Sequence, residues 1–172
     1  AVTLYYDNAI KLATVTGGIN VTGDTDTDTL TVSGNATVGG NLTVTGTTTL
    51  TGTQTFTGAS TFSGGATLTE DTLTDASTIT WVASTSPVAK VTLGANRTLG
   101  SASSGVTGQF ISLLVIQDGT GSRTLTWNAA YEFKDDSAPT LTTTAAKGDL
   151  FVFRYNGAKW LEVGRNTALT LS

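Results

Sequence analysis

The apolar residues are most regularly spaced between Leu30 and Leu68. In this stretch glycine recurs every six residues, and an apolar residue stands two positions before each of these glycines; the pairs are Val32/Gly34, Val38/Gly40, Val44/Gly46, Leu50/Gly52, Phe56/Gly58 and Phe62/Gly64. A period of six is a whole number of two-residue strand steps and does not match the 3.6-residue turn of a helix. The pattern therefore predicts short β-segments separated by glycine corners.

The size of one coil indicates how many chains this repeat needs. In a single-chain, three-sided β-helix about 18 residues make one coil, so the run would close only about two coils. Three identical chains around one axis would instead give roughly six closed layers, with the apolar residues inside. We therefore predict an intertwined, β-helix-like homotrimeric shaft over residues 30–69. The alternative is a disordered Thr/Gly linker, which gives no reason for apolar residues in strict phase.

The segment before the shaft, residues 1–29, is predicted to form a β-hairpin and a short piece of repeat. Val2 to Ala13 has two short strand patterns around Asp7-Asn8, which are typical turn residues. Two further pairs, Val15/Gly17 and Val21/Gly23, have the six-residue offset in a different phase.

The chain after Leu68 has a different pattern. The glycine period stops, so we predict a connector at residues 70–80 and a head domain at residues 81–172. With no helical period and many turn residues, the head is expected to be an antiparallel β-sandwich or jelly-roll-like fold. Its predicted strands are Ser77 to Val82, Val88 to Leu93, Phe110 to Gln117, Arg123 to Trp127, Leu150 to Tyr155 and Lys159 to Val163. Its predicted core residues are Trp81, Val91, Leu93, Phe110, Leu113, Val115, Leu125, Phe151, Phe153 and Leu161.

Two turns in the head are interpreted as structural. The segment from Asp118 to Ser122 is rich in glycine but lies between two strands and lacks the Lys-Ser/Thr of a phosphate loop, so it is predicted to be a hairpin turn. Asn156-Gly157 between two apolar strands is a strong hairpin signal.

The amino-acid composition disfavours several classes of function. The chain of 172 residues contains no His, Cys or Met, and this removes the commonest nucleophiles, general bases and zinc ligands. We expect no enzyme activity and no cofactor. The net charge of −4 disfavours nucleic acid as a partner, because phosphate binding needs clustered Lys and Arg. No apolar run approaches the about 20 residues of a membrane span, so no membrane insertion is expected.

Acidic residues supply two candidate sites. Asp24, Asp26 and Asp28 would share one face of an extended strand, and in a trimer their nine carboxylates could bind calcium or could form a solvated acidic collar. Glu132 with Asp135 and Asp136 is the nearest approach to the carboxylate pair of a glycosidase.

The opening segment, the glycine repeat and the head together resemble the fibre proteins of tailed bacteriophages, particularly marine ones. The residues that carry the resemblance are Leu4-Tyr5-Tyr6-Asp7-Asn8, Gly40-Asn-Leu-Thr-Val-Thr-Gly46, Gln117-Asp-Gly-Thr-Gly-Ser-Arg123 and Phe153-Arg-Tyr-Asn-Gly-Ala-Lys-Trp160. The resemblance implies a homotrimeric virion fibre, on the tail or on the head, that touches the host surface. It brings no catalytic residues across.

Three functions therefore remain open for this chain. The first is a structural fibre whose head binds a host glycan or protein, with Trp127, Tyr131, Tyr155 and Trp160 as the candidate receptor-binding aromatic residues. The second is a capsid decoration or head-fibre protein whose terminal module binds another virion protein. The third, a glycan-degrading tailspike enzyme, is disfavoured by the lack of a clear acid pair.

Overall fold

The computed structural model describes residues 2–52 and 54–171, and the chain divides into two compact units, residues 1–58 and 59–172. The described residues form strands and turns and contain no α-helix. An all-β fold, predicted from the residue pattern, is thus confirmed. The predicted connector, residues 70–80, lies inside the second unit and contains a strand and the start of another; the predicted domain boundaries stay predictions.

The first unit begins with a three-stranded antiparallel meander. Its strands are β1 (Thr3–Tyr6), β2 (Ala9–Val15) and β3 (Gly18–Val21). Asp7 and Asn8, between β1 and β2, both have positive φ, 53° and 54°, as a tight two-residue hairpin turn requires. The predicted hairpin and its turn residues are confirmed, and the second turn of the meander uses Gly17 at φ 96°.

The six-residue repeat is visible in the backbone itself. Bends recur at 33–34, 39–40, 45–46, 57–58 and 63–64, with extended segments between them. Where residues 22–69 are described, they form no strand with any other part of the chain. The glycine corners are therefore present in one chain, while the β-helix-like shaft stays a prediction about several chains.

The described residues of the second unit form nine strands in two sheets. They are β4 (Glu70–Thr72), β5 (Thr78–Val82), β6 (Val88–Leu93), β7 (Arg97–Ser103), β8 (Phe110–Gln117), β9 (Leu125–Trp127), β10 (Tyr131–Glu132), β11 (Lys147–Tyr155) and β12 (Trp160–Thr170). One sheet has the order β10-β12-β11-β8-β6-β4, and the other has the order β5-β7-β9. A 3-10 turn at Lys134–Asp136 follows β10.

The chain passes alternately between the two sheets, and this makes the pairing largely parallel. β4, β6 and β8 pair in parallel in the larger sheet, while β5, β7 and β9 pair in parallel in the smaller one. Each successive strand pair is thus one coil of a short two-sided solenoid, and the antiparallel strands β11 and β12 extend the larger sheet beyond β8. The predicted antiparallel arrangement is wrong for these six strands, because the residue pattern of a strand does not encode the direction of its partner.

Side chains from both sheets meet in one core. Trp81, Val91, Leu93, Leu113, Val115, Leu125, Phe151 and Phe153 are buried there, as predicted. Phe110 is not: it is 56% exposed. On β8 the buried positions alternate from Ile111 onward, so Phe110 falls on the opposite face. Leu161 is half-buried.

Polar side chains at one edge of the solenoid join successive coils. Asp75, in the turn after β4, accepts hydrogen bonds from the Arg97 guanidinium at 2.7 Å twice and from the Gly94 backbone N–H at 3.1 Å. Asn96 in the second coil accepts a bond from the Thr124 N–H of the third at 3.0 Å. These bonds fix the corners of the solenoid one above another.

The two predicted hairpin turns have different outcomes. Asn156-Gly157 joins the antiparallel strands β11 and β12, with Gly157 at φ 99°, so this hairpin is confirmed. The segment from Asp118 to Ser122 instead joins β8 to β9, which lie in different sheets. It is a solenoid corner, and the predicted hairpin there is wrong.

Candidate functional site

The aromatic residues predicted to bind a receptor lie in or beside the core. The Trp127 ring makes edge contacts with Tyr131, Phe133 and Phe151, at centroid distances of 5.6, 5.0 and 4.8 Å. Tyr131 is 4% exposed and Trp127 is half-buried. Such T-shaped packing is typical of an aromatic core cluster.

The polar atoms of Tyr131 and Trp160 make hydrogen bonds to the protein's own backbone. The Tyr131 hydroxyl donates to the Gly100 carbonyl and accepts from the Ala102 N–H, both at 3.1 Å, and burial raises the pKa of this hydroxyl. Trp160 is 0% exposed, and its indole N–H donates to the Ala102 carbonyl at 2.9 Å. Tyr155 packs over Trp160 with ring centroids 4.7 Å apart and is half-buried.

Two of the four receptor candidates, Tyr131 and Trp160, therefore have almost no surface that a ligand could reach in this structure. Their aromatic side chains stand at inward positions of strands, and aromatic content alone does not separate a core position from a binding position. The receptor-binding role of the four residues stays a prediction, and Trp127 and Tyr155 are the two with accessible surface.

Glu132, in the acidic group beside Tyr131, is held in an ion pair. Glu132 binds Lys159, and this ion pair lowers the pKa of Glu132. A glycosidase needs one carboxyl whose pKa is raised so that it stays protonated. Asp135 and Asp136 are exposed in the 3-10 turn, both at positive φ. The structure thus gives Glu132 an ion-pairing role.

The aspartates proposed as metal ligands lie in an extended, exposed part of the first unit. Asp24, Asp26 and Asp28 are all exposed. Within a single chain, no group of three or more His, Cys, Asp or Glu among the described residues is placed to hold a metal ion. The calcium site was predicted for three chains together, so it stays a prediction.

The shaft repeat leaves its apolar side chains in water in a single chain. The residues two positions before the glycines are 49% to 70% exposed; they are Val32, Val38, Val44, Leu50, Phe56 and Phe62. Between residues 23 and 69, the described backbone N–H and C=O groups make no backbone hydrogen bond to one another or to other described residues. The segment therefore presents six exposed apolar side chains at a six-residue spacing, here called the apolar column, and backbone that makes no backbone hydrogen bond.

Comparison with protein families links the second unit to phage fibres. Residues 77–160, just under half of the chain, match the family model described as "Putative phage tail fibre C-terminal domain". A search of curated proteins found no match. Over the part of the chain that the structure describes, no helix is long and apolar enough to cross a membrane. The family match supports a phage tail fibre, and hence a structural protein of the virion.

Proposed function

We propose that this chain forms a homotrimeric tail fibre of a bacteriophage, in which the repeat of residues 30–69 is the shaft and the second unit is the head. The similarity of residues 4–8 and 40–46 to fibres of marine phages extends the proposal to that type of phage. The chain acts by holding three heads in register at the virion surface and needs no catalytic residue for this role.

The observation that carries the proposal is the exposed apolar column of the shaft repeat. Six Val, Leu and Phe side chains in strict phase would each gain about 1.5 to 3 kcal/mol on full burial. The backbone of the same segment makes no hydrogen bond to the described backbone, and a neighbouring strand would supply partners for its N–H and C=O groups. Neighbouring copies of the same repeat supply both, because every copy has the same period.

Three copies fit the repeat better than one. A single chain would need about 18 residues for each closed coil, whereas in a trimer each six-residue unit supplies one of three sides of a layer. Glycine at each corner then allows the backbone to turn where the three sides meet.

The head is proposed to attach the virion to a host-surface glycan or protein. A weak contact made by one head would be strengthened by two identical contacts held at a fixed distance. This multivalency is the reason a fibre benefits from being a trimer. A variant that loses the trimer and keeps the folded head should therefore lose avidity for the host surface.

The test compares the wild-type chain with Val44→Asp, which places a charge in the shaft and leaves the head sequence unchanged. We expect the wild-type protein to bind host cells and to block phage adsorption, and the variant to bind about 100-fold more weakly because it is monovalent. If the wild-type protein binds phage particles and not cells, the chain is a decoration protein. If it releases sugar from the host surface, it is a tailspike enzyme.

A further inference from the structure

The outer face of the larger sheet in the second unit is unusually apolar. On β8 the side chains opposite the core are those of Phe110, Ser112, Leu114 and Ile116. Strand register places Ser112 between Val88 of β6 and Val152 of β11, and places Leu114 between Lys90 and Leu150. We call the surface formed by these residues the outer sheet face; its apolar members are Val88, Phe110, Leu114, Ile116, Leu150 and Val152.

The sequence of β8 is apolar on both faces of the sheet. Its residues read Phe-Ile-Ser-Leu-Leu-Val-Ile-Gln, and a near-continuous apolar run is typical of a strand that is covered on both sides. The inward residues Ile111, Leu113 and Val115 are covered by the core. The outward residues are only half-buried or, for Phe110, exposed. The described residues of the second unit cover this face only in part: Leu171 lies beside Leu114 over Gly148, and Leu68 lies beside Val88 and Phe110. The rest of the outer sheet face is an apolar surface open to a partner.

The surface also has hollows that a neighbour could fill. A hollow of about 180 Å³ is lined by Leu68, Pro87, Val88, Phe110 and Val152 among others. A second hollow, of about 200 Å³, is lined by Leu150, Val152, Gly164, Arg165 and Asn166. Val152 lines both hollows. Side chains of a partner that packs against the face could fill them.

Leu68 identifies the partner. It lies six residues after Phe62, which lies six after Phe56, so Leu68 is the next member of the apolar series of the shaft. Leu68 also lines the first of the two hollows of the outer sheet face, beside Phe110 and Val88. In the sequence, the apolar series of the proposed shaft therefore continues to a residue that lies on this face.

From this continuity we infer that the heads of the trimer pack against one another through the outer sheet face. The inference rests on the proposed trimeric shaft and extends it to the second unit. Charged side chains stand around the apolar surface: Lys90 pairs with Glu70 at 2.6 Å on one side, and Arg154 is exposed beside Phe110 on the other. An apolar centre with a charged rim is the usual anatomy of a protein–protein interface. A glycan would instead need several polar groups around it. Among the described residues that line the first hollow, where Leu68 lies, Ser112 alone has a polar side chain; Arg165 and Asn166 line the second hollow.

Cysteine cross-linking tests the inference in the full chain, which has no native Cys. Three single variants are compared: Ser112→Cys on the outer sheet face, Val44→Cys in the shaft, and Thr126→Cys at an exposed position of the smaller sheet. Ser112→Cys and Val44→Cys are close to isosteric with the native residues. Each protein is treated with a short bismaleimide at low concentration, and the products are separated on a denaturing gel after boiling.

We expect Val44→Cys and Ser112→Cys to give covalently linked chains and Thr126→Cys to remain a single chain. If Val44→Cys is linked while Ser112→Cys and a second face variant, Leu114→Cys, are not, the shaft is confirmed and the head interface is refuted; the face is then free for another virion protein. If Val44→Cys is not linked either, the proposed trimer itself fails. Linking of Thr126→Cys to the same extent as Ser112→Cys would also refute the inference.

Discussion

Replacing Gly121 with alanine tests the solenoid corner between β8 and β9. Gly121 has φ of 75°, which costs an alanine about 1 kcal/mol. A Cβ atom there would lie 2.5 Å from the Thr143 carbonyl oxygen and 2.8 Å from the Ala145 backbone nitrogen. Both neighbours are backbone atoms and cannot rotate away, so overpacking adds about 1 to 3 kcal/mol. We expect Gly121→Ala to destabilise the second unit by about 2 to 4 kcal/mol.

Gly119 provides a matched control in the same corner. It has no positive φ, and a Cβ there would meet nothing within 4 Å. The Trp bands of the near-ultraviolet circular dichroism spectrum follow the second unit, since all three Trp residues (Trp81, Trp127 and Trp160) belong to it. At about 4 °C per kcal/mol for a unit of this size, Gly121→Ala should melt about 10 °C below the wild type, and Gly119→Ala within a few degrees of it. Equal melting temperatures for the two variants would refute the described corner.

Three further predictions concern the head and the shaft. Asp75→Asn should destabilise the second unit by about 1 kcal/mol at neutral pH. The Arg97 guanidinium lowers the pKa of Asp75 below 3.8. The stabilising effect of the ionised Asp75 is therefore present above pH 3.8 and is lost as the pH falls through the lowered pKa. The urea midpoints of wild type and variant should converge in acid, and a constant difference between them would contradict this. Trp160→Phe should cost about 1 to 3 kcal/mol more than Trp127→Phe in urea unfolding, since the Trp160 N–H is bonded and that of Trp127 has no partner among the described residues; equal losses would contradict this assignment. Val44→Asp should abolish any SDS-resistant oligomer on an unheated gel. If the oligomer persists in this variant, the apolar column does not hold the chains together.

Residue patterns predicted strand positions well where alternation was strong. β6 and β8 have the predicted bounds, Val88–Leu93 and Phe110–Gln117. β7, at Arg97–Ser103, is not among the predicted strands. Its sequence, Arg-Thr-Leu-Gly-Ser-Ala-Ser, has only two apolar side chains, Leu99 and Ala102, and so shows no clear alternation. This strand is defined by parallel pairing with β5 and β9, and such long-range pairing overrides a weak local propensity.

The candidate site was harder to predict than the fold. Tyr131 and Trp160 are receptor-binding candidates by sequence because aromatic side chains often bind sugars, but the same residue types fill cores. Phe110 was assigned to the core because it is apolar, yet the two-residue period from Ile111 onward places it outside. That period, read with the apolar outward residues of β8, was the signal in the sequence that could have indicated the outer sheet face.

The most direct test of the trimeric fibre is the molar mass of the purified protein in solution, measured by light scattering and compared with an unheated SDS gel. One chain has a mass of 17.6 kDa. The proposed shaft predicts the mass of three chains, resistant to SDS until the sample is heated, because each chain's apolar column and unpaired backbone are covered by the other two. The mass of a single chain would contradict the account and leave the repeat as a linker to an isolated head.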